Sequence, residues 1–419
     1  MIGLTLARAA VPLGLFVSSV AVGRALHANG LGQYAALTAI AQLVVWGLGA
    51  GFPLMAIRDI AAGRASTTYI GRVMVTFFAI SLPGVLAMSL AYGFFSGNII
   101  GFEQAALAGL ASCLFNAMYI VSAANSGRQA FGASAAGELL GGGLLAAVSV
   151  LAVTFGGGIR EVLLASCVAW GAATALLVRL HKPLVTEVLP ESHTDLARRQ
   201  LPYLFYGVIN GGYSRIDVAI LRGVTSPAAT GIYAAAYRLL GPYFLLGSAF
   251  AYVFLGRAAR YGSPWTQQWV RTIRRGQLSF GAAMTAGAVA GILLAPWLIA
   301  FIFGRDYGTS GLVARVLLLA VIPYSFYWPV VLGLNAADER RELFWVFAIP
   351  TALDAILVAI LGWRWGPLGA SVAWVLCETL LLLIVEQRFR RLRRVRSIPT
   401  GTPGTTAITL AEHMTEYPI

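Results

Sequence analysis

Glu138, Arg215, Asp217, Arg238, Arg315, Asp354 and Glu378 stand inside long apolar stretches of the chain. A charge surrounded by hydrocarbon is expensive and normally faces a partner or a wet cavity. Arginines so placed can grip a phosphate or pyrophosphate through charge-assisted, bidentate hydrogen bonds. Buried carboxyls can exchange a proton or a sodium ion, because burial brings proton uptake toward working pH. On this reading Arg215, Arg238 and Arg315 hold an anionic substrate in passage, and Asp354, Glu378, Asp217 and Glu138 are candidates for ion coupling. The competing reading makes Arg238, Arg315, Asp354 and Glu378 a charge-balanced network that locks the second half of the chain. Arg215 and Asp217 are two residues apart, so they project from different helix faces and do not pair. Arg215 is expected to point into a cavity while Asp217 braces a neighbouring helix. Glu138, about five residues inside its stretch, either lines a vestibule or is solvated at its helix end. Arg8 is expected to snorkel to the nearer surface.

Other chemistry has little support. Cys113, Cys167 and Cys377 are far apart, with no CxxC and no nearby His, so neither a disulfide framework nor a metal site is expected. None of the four His residues has a Ser, Cys or metal partner at useful spacing. Gly141-Gly142-Gly143 and Gly156-Gly157-Gly158 are not followed by GK[ST] and are not phosphate loops; the first lies within a span, where small residues allow close helix packing. No cofactor and no enzymatic activity are expected. Tyr203, Phe205, Tyr206, Asn210 and Tyr213 crowd one stretch, and Tyr324, Phe326, Tyr327 and Trp328 crowd another beside Pro323 and Pro329. Aromatic faces and amides suit sugars, but aromatics are commoner at membrane interfaces and in helix packing. The two prolines predict a bent span.

These residues are positioned by membrane helices. Of 419 residues, 58% are hydrophobic and 11% charged, whereas a soluble domain carries roughly 25% charged residues. A bilayer core takes about 20 apolar residues per helix. Twelve such runs lie near 3–24, 32–56, 71–95, 104–125, 133–155, 159–180, 200–221, 228–255, 276–303, 309–333, 341–362 and 366–387. The first is too long and too poorly flanked for a cleaved signal peptide. The expectation is an all-α integral membrane protein. It comprises a first lobe over 1–181, an inter-lobe loop over 182–199, a second lobe over 200–396 and a disordered tail over 397–419.

The net charge of +13 is a matter of topology. Lys182 is the only lysine among 30 basic residues. With the amino terminus cytoplasmic, 21 of the 30 fall in cytoplasmic loops, 5 outside and 4 within spans, as the positive-inside rule requires. Both termini are then cytoplasmic. The arginines form a collar attracted to anionic head groups, membrane lipids being the expected partner and nucleic acid none. The run Arg388–Arg396 reads as an electrostatic anchor.

A repeat divides the chain. A shift of 199 residues places Gly32-Gln33-Tyr34-Ala35-Ala36 on Gly231-Ile232-Tyr233-Ala234-Ala235, Ala50 on Ala249, Arg58 on Arg257 and Arg72 on Arg271. Both segments enter the membrane from the same side. Two parallel six-helix lobes around a central cavity follow, with the substrate between them near mid-bilayer.

Tyr213-Ser214-Arg215-Ile216-Asp217-Val218-Ala219-Ile220-Leu221 and Gly231-Ile232-Tyr233-Ala234-Ala235-Ala236-Tyr237-Arg238-Leu239 resemble spans seven and eight of Wzx-type oligosaccharide flippases of the multidrug/oligosaccharidyl-lipid/polysaccharide (MOP) superfamily. Gly23-Arg24-Ala25-Leu26 through Gly30-Leu31-Gly32-Gln33-Tyr34, and Ile57-Arg58-Asp59-Ile60-Ala61, are similar to that family's first loop and second span. Phe303-Gly304-Arg305-Asp306-Tyr307 resembles its turn after span nine. The resemblance implies a MATE-like fold and movement of a polyprenyl-pyrophosphate-linked glycan between leaflets of the plasma membrane. It also implies polysaccharide polymerase and glycosyltransferase partners. It carries over no catalytic set. A cation-coupled multidrug exporter of the same superfamily is the alternative. A non-transporting scaffold or a membrane glycosyltransferase or polymerase ranks lower, since the outer loops offer only isolated acids such as Glu103, Glu161 and Asp306.

Overall fold

Backbone in hydrocarbon must satisfy its own hydrogen bonds, so an apolar run that crosses a bilayer folds as a helix. In a computed structural model of the chain, the described elements are all helical. The structure describes residues 2–63, 65–66, 68–97, 99–181, 192–201, 215–260, 264–337 and 339–396. The first two expected spans are α1 (Ile2–Gly49) and α2 (Gly51–Ala61). They are continuous in hydrogen bonding but turn at His27, whose φ of 56° breaks the helical run. Spans three to six are α3 (Tyr69–Ser96), α4 (Ile99–Gly127), α5 (Phe131–Thr154) and α6 (Ile159–Leu180). Of span seven, α7 (Ile216–Val224) is described; Tyr203, Phe205, Tyr206, Asn210 and Tyr213 lie outside the described residues.

Span eight is α8 (Pro227–Tyr237), a 3-10 turn over Arg238–Leu240, and α9 (Gly241–Arg260). Ser226 caps α8 by accepting from the Ala229 amide, with Pro227 in the first turn. Span nine is α10 (Gln267–Phe303), capped by Thr266. Span ten is broken into α11 (Gly308–Leu319) and α12 (Val321–Ala336) at Ala320. Pro323 explains the break, since it has no amide to offer the Leu319 carbonyl and its ring clashes there. The chain ends in α13 (Arg340–Trp365) and α14 (Pro367–Arg396). Nine helices among the described residues are long and apolar enough to cross a membrane. This is fewer than the twelve runs because α1 carries two of them, span seven is partly outside the description, and span eight is interrupted. The chain is a multi-pass membrane protein.

Apolar side chains gather in two cores. One is built on Val45, Phe52, Phe77, Met118, Trp170 and Leu177 of α1–α6. The other contains Tyr233, Trp269, Leu317, Val330, Trp374 and Phe389 of the later helices, and it takes in Leu31, Tyr34 and Leu163 from the first lobe. Residues 193–201, of which 193–199 were expected as the end of the inter-lobe loop, are helical and packed on the first lobe. Leu196 is buried in its core, Arg199 donates to Asp59 (2.7 Å), His193 bonds Thr76 (2.8 Å), and Gln200 donates to the Leu48 carbonyl (3.3 Å).

The lobes are joined at their arginine-poor end. Arg24 donates to the Ile302 and Phe301 carbonyls (2.7 and 2.5 Å) at the end of α10, and the Tyr307 hydroxyl donates to the Gly23 carbonyl (3.0 Å). Exposed Trp297, Phe301, Trp363 and Trp365 surround this end, the position aromatic residues favour at a membrane interface. Within the first lobe, Gly142 of the Gly141-Gly142-Gly143 run leaves no room for a side chain against the Ala10 carbonyl. The α1 and α5 backbones therefore meet directly, as small residues allow.

Candidate functional site

Arg215 precedes the first turn of α7, and Arg238 opens the 3-10 turn inside span eight. A 3-10 turn within a longer helical run shifts the helical register and often marks a hinge. These two breaks bring both guanidinium groups to one cavity between the lobes, whose opposite wall is Tyr34, Thr38, Gln42, Ser112, Phe115, Ser166 and Trp170 of the first lobe. Among the described residues neither arginine makes an ion pair. Arg215 lies over the Trp46 ring, 5.4 Å from its centroid, a cation–π contact. Its Nε is buried without a hydrogen-bond partner among the described residues, as is the amide oxygen of Gln42. The hydroxyls of Thr38, Ser112 and Ser166 return to their own helix carbonyls (2.8, 2.8 and 2.9 Å). Phe115 packs on Trp170 with centroids 4.6 Å apart. The cavity thus offers two cations from one lobe and aromatic and amide surface from the other. It encloses about 40 Å³, room for a water or two but not for a sugar.

A second polar cluster lies behind the arginines within the second lobe. Asp217 is buried and accepts from the Tyr233 hydroxyl and from the Val218 amide (2.7 Å). Asp354 of α13 faces the Cys377 thiol and sits near Asp217 and Glu378. Glu378 of α14 meets the Tyr327 hydroxyl. Asp217, Asp354 and Glu378 are at most 2% exposed.

No protein-family model matches the chain, and no curated protein matches it. Solved structures do. A multidrug resistance MATE family transporter of the MOP superfamily, in an inward-facing conformation, superposes with a TM-score of 0.71 at 14% identity, over 94% of this chain and 99% of that one. The lipid II flippase MurJ, in an inward closed conformation, gives 0.69 at 14% identity, over 99% and 95%. A MATE family transporter in an outward-facing conformation gives 0.60 at 14% identity, over 94% and 96%. The chain has the MOP transporter fold.

Within that fold the remaining predicted residues fall elsewhere. Arg315 is exposed on α11 and donates to the Ile292 carbonyl (3.2 Å); it does not line the cavity with Arg215 and Arg238. Neither Arg238 nor Arg315 pairs with Asp354 or Glu378, so the expected charge-balanced network among these four does not form among the described residues. Glu138 is buried in the first lobe, where it accepts from Ser122 (2.9 Å) and braces α5 against α4. Asp217 braces α7 against α8 through Tyr233, the arrangement expected of it. Tyr324 stacks on Trp328 (5.6 Å), whose indole donates to the Gly247 carbonyl (3.1 Å); these rings pack helices. The acids of the expected outer loops are also occupied: Glu103 pairs with Arg160 (2.6 Å), Glu161 accepts from the Gly158 amide (2.7 Å), and Asp306 pairs with His27 (3.4 Å).

Sequence reasoning missed the first-lobe wall residues Tyr34, Gln42, Phe115 and Trp170, and Trp46 beneath Arg215. A signal was present. Gln42, Trp46 and Trp170 fall inside their spans, away from the interfaces where tryptophan belongs, and a mid-span amide needs a partner or a wet cavity.

Proposed function

We propose that this protein is a plasma-membrane flippase that moves a polyprenyl-pyrophosphate-linked oligosaccharide from the inner to the outer leaflet by alternating access. The observation that carries the reading is the cavity between the lobes, where Arg215 and Arg238, free of ion pairs among the described residues, face Trp46, Phe115, Trp170 and Gln42. Two guanidiniums suit a pyrophosphate; aromatic faces and an amide suit the first sugars. The arginine-rich end is taken as cytoplasmic, with both termini there, so the joined arginine-poor end closes the outer side and loading occurs from within. Asp217, Asp354 and Glu378 supply the coupling, exchanging a proton or a sodium ion as the second lobe rearranges. A polymerase and glycosyltransferases of the cell envelope are the partners that would make and consume such a cargo.

The alternative is a cation-coupled multidrug exporter, which shares the fold. The paired arginines weigh against it, because a cationic drug would meet like charge. The deciding experiment is deletion of the gene, followed by mass spectrometry of polyprenyl-linked glycans alongside surface polysaccharide. Accumulation of one completed lipid-linked unit with loss of its polymer supports the proposal and identifies the cargo. Unchanged glycans, in a strain cleared of redundant flippases, overturn it in favour of the exporter.

A further inference from the structure

The second lobe carries a groove separate from the cavity between the lobes. It is lined by Arg274, Gln277 and Leu278 of α10, Phe326 of α12, and Leu382, Leu383, Glu386 and Arg390 of α14, and holds about 430 Å³. It shares no lining residue with the cavity between the lobes.

The groove is graded along the helix axis. Helices α10 and α14 run antiparallel here, so Arg274 and Gln277 lie level with Glu386 and Arg390 near the arginine-rich end. Leu278, Leu382 and Leu383 lead from there toward mid-membrane. Glu386 is saturated: Arg274 donates to both its oxygens (2.7 and 2.6 Å) and Arg390 donates through Nε (2.8 Å). Arg274 also donates to the Gln277 oxygen (2.6 Å) and lies over the Phe389 face (5.0 Å). Among the described residues Arg390 is held only through Nε, and it is 68% exposed at the groove mouth. Two guanidiniums against one carboxylate leave the mouth cationic. Arg391, Arg393, Arg394 and Arg396 follow on the same helix, adding long-range attraction for anions.

From Arg390 to Leu382 is eight residues of helix, about 12 Å. That is close to the roughly 15 Å depth of one leaflet's hydrocarbon. A cationic mouth at head-group level above an apolar floor of this length has the shape and charge of an anionic phospholipid. We infer that the groove binds an anionic phospholipid of the leaflet at the arginine-rich end, its phosphate on Arg390 and one acyl chain along Leu278, Leu382, Leu383 and Phe326. The site shares no residue with the cavity between the lobes, so the inference does not rest on the proposed cargo.

Native mass spectrometry of the purified full chain, titrated with phosphatidylglycerol and with phosphatidylcholine of the same chains, tests this. The wild type is expected to favour phosphatidylglycerol roughly fivefold in its tightest adduct, the effect of about one basic residue at the surface. Arg390→Gln removes that preference without changing phosphatidylcholine binding. Leu383→Trp, at an exposed position that tolerates the change, fills the floor and lowers binding of both lipids. Equal binding of the two lipids by the wild type overturns the site. So does a preference that survives both variants, which would assign it to the arginines beyond Arg390.

Discussion

Gly32 and Gly231, 199 residues apart in sequence, lie against each other where α1 crosses α8. A side chain on Gly32 would strike the Pro227 carbonyl, and one on Gly231 would strike the Ala28 carbonyl. Pro227 is itself Ala28 shifted by the same 199 residues, so the crossing is its own mirror through the repeat. The local axis relating the two lobes therefore passes between these glycines. The relation extends inward: Tyr34 pairs with Ser18 (3.4 Å), and Tyr233 pairs with Asp217, each across 16 residues. At the equivalent place the first lobe carries a hydroxyl and the second an acid.

Gly231→Val is predicted to hold the arginine-poor end apart, since the backbone contact admits no side chain. Transport should fall by at least about tenfold, the result of forfeiting one closed state of the cycle, while the protein stays inserted. A cysteine placed at Ala28 in this background should react faster with an impermeant maleimide added outside. Unchanged labelling would show that the crossing does not govern closure.

Arg215→Ala and Arg238→Ala should each cut flipping roughly tenfold or more, the scale of one lost charge-assisted hydrogen bond. Arg→Lys replacements should recover part of it, because lysine keeps the charge without the planar fork. Arg315→Ala, exposed and bonded only to a carbonyl, should leave flipping within about twofold. A reconstituted assay with fluorescent lipid-linked glycan reads all three, and equal losses would contradict the placement of Arg315 outside the site.

Asp217→Asn keeps an acceptor for the Tyr233 hydroxyl but cannot exchange a proton. It should abolish stimulation of transport by an imposed proton or sodium gradient while sparing exchange at equilibrium. Asp354→Asn should behave alike, because the two carboxyls share one buried cluster. Glu138→Gln should retain coupling. Gradient-driven transport surviving in both Asp variants would assign the cluster to structure alone.

Asp59→Ala removes one acceptor from the Tyr69 hydroxyl (2.7 Å) and one from the Arg199 guanidinium (2.7 Å). Losing these partners should cost about 1–3 kcal/mol of local stability, less whatever solvent recovers at the partly exposed Arg199. The 193–201 helix should come away from the first lobe, read as faster hydrogen exchange in that segment alone. Uniform protection would show that Leu196 and His193 suffice to dock it.

Most of the helices and the arginine asymmetry were determined by the sequence itself. Hydrophobic length and loop charge act locally, residue by residue, and need no partner. Gly32-Gln33-Tyr34 against Gly231-Ile232-Tyr233 also disclosed the repeat, because both copies make the same crossing and keep the same small residues. The fate of each intramembrane charge was decided by tertiary structure. Arg215, Arg238 and Arg315 are chemically alike in the sequence. Two reach the cavity because α7 begins and span eight breaks beside it; the third is turned outward by the face of α11 on which it sits. Gln42, Trp46 and Trp170 stand out in mid-span by type alone, but what they face is fixed only when the second lobe places two guanidiniums opposite them. A span's hydropathy says that a helix is buried in the bilayer, but which of its faces meets lipid, a neighbouring helix or the cavity depends on rotation about its axis, and only packing against the other lobe fixes that rotation.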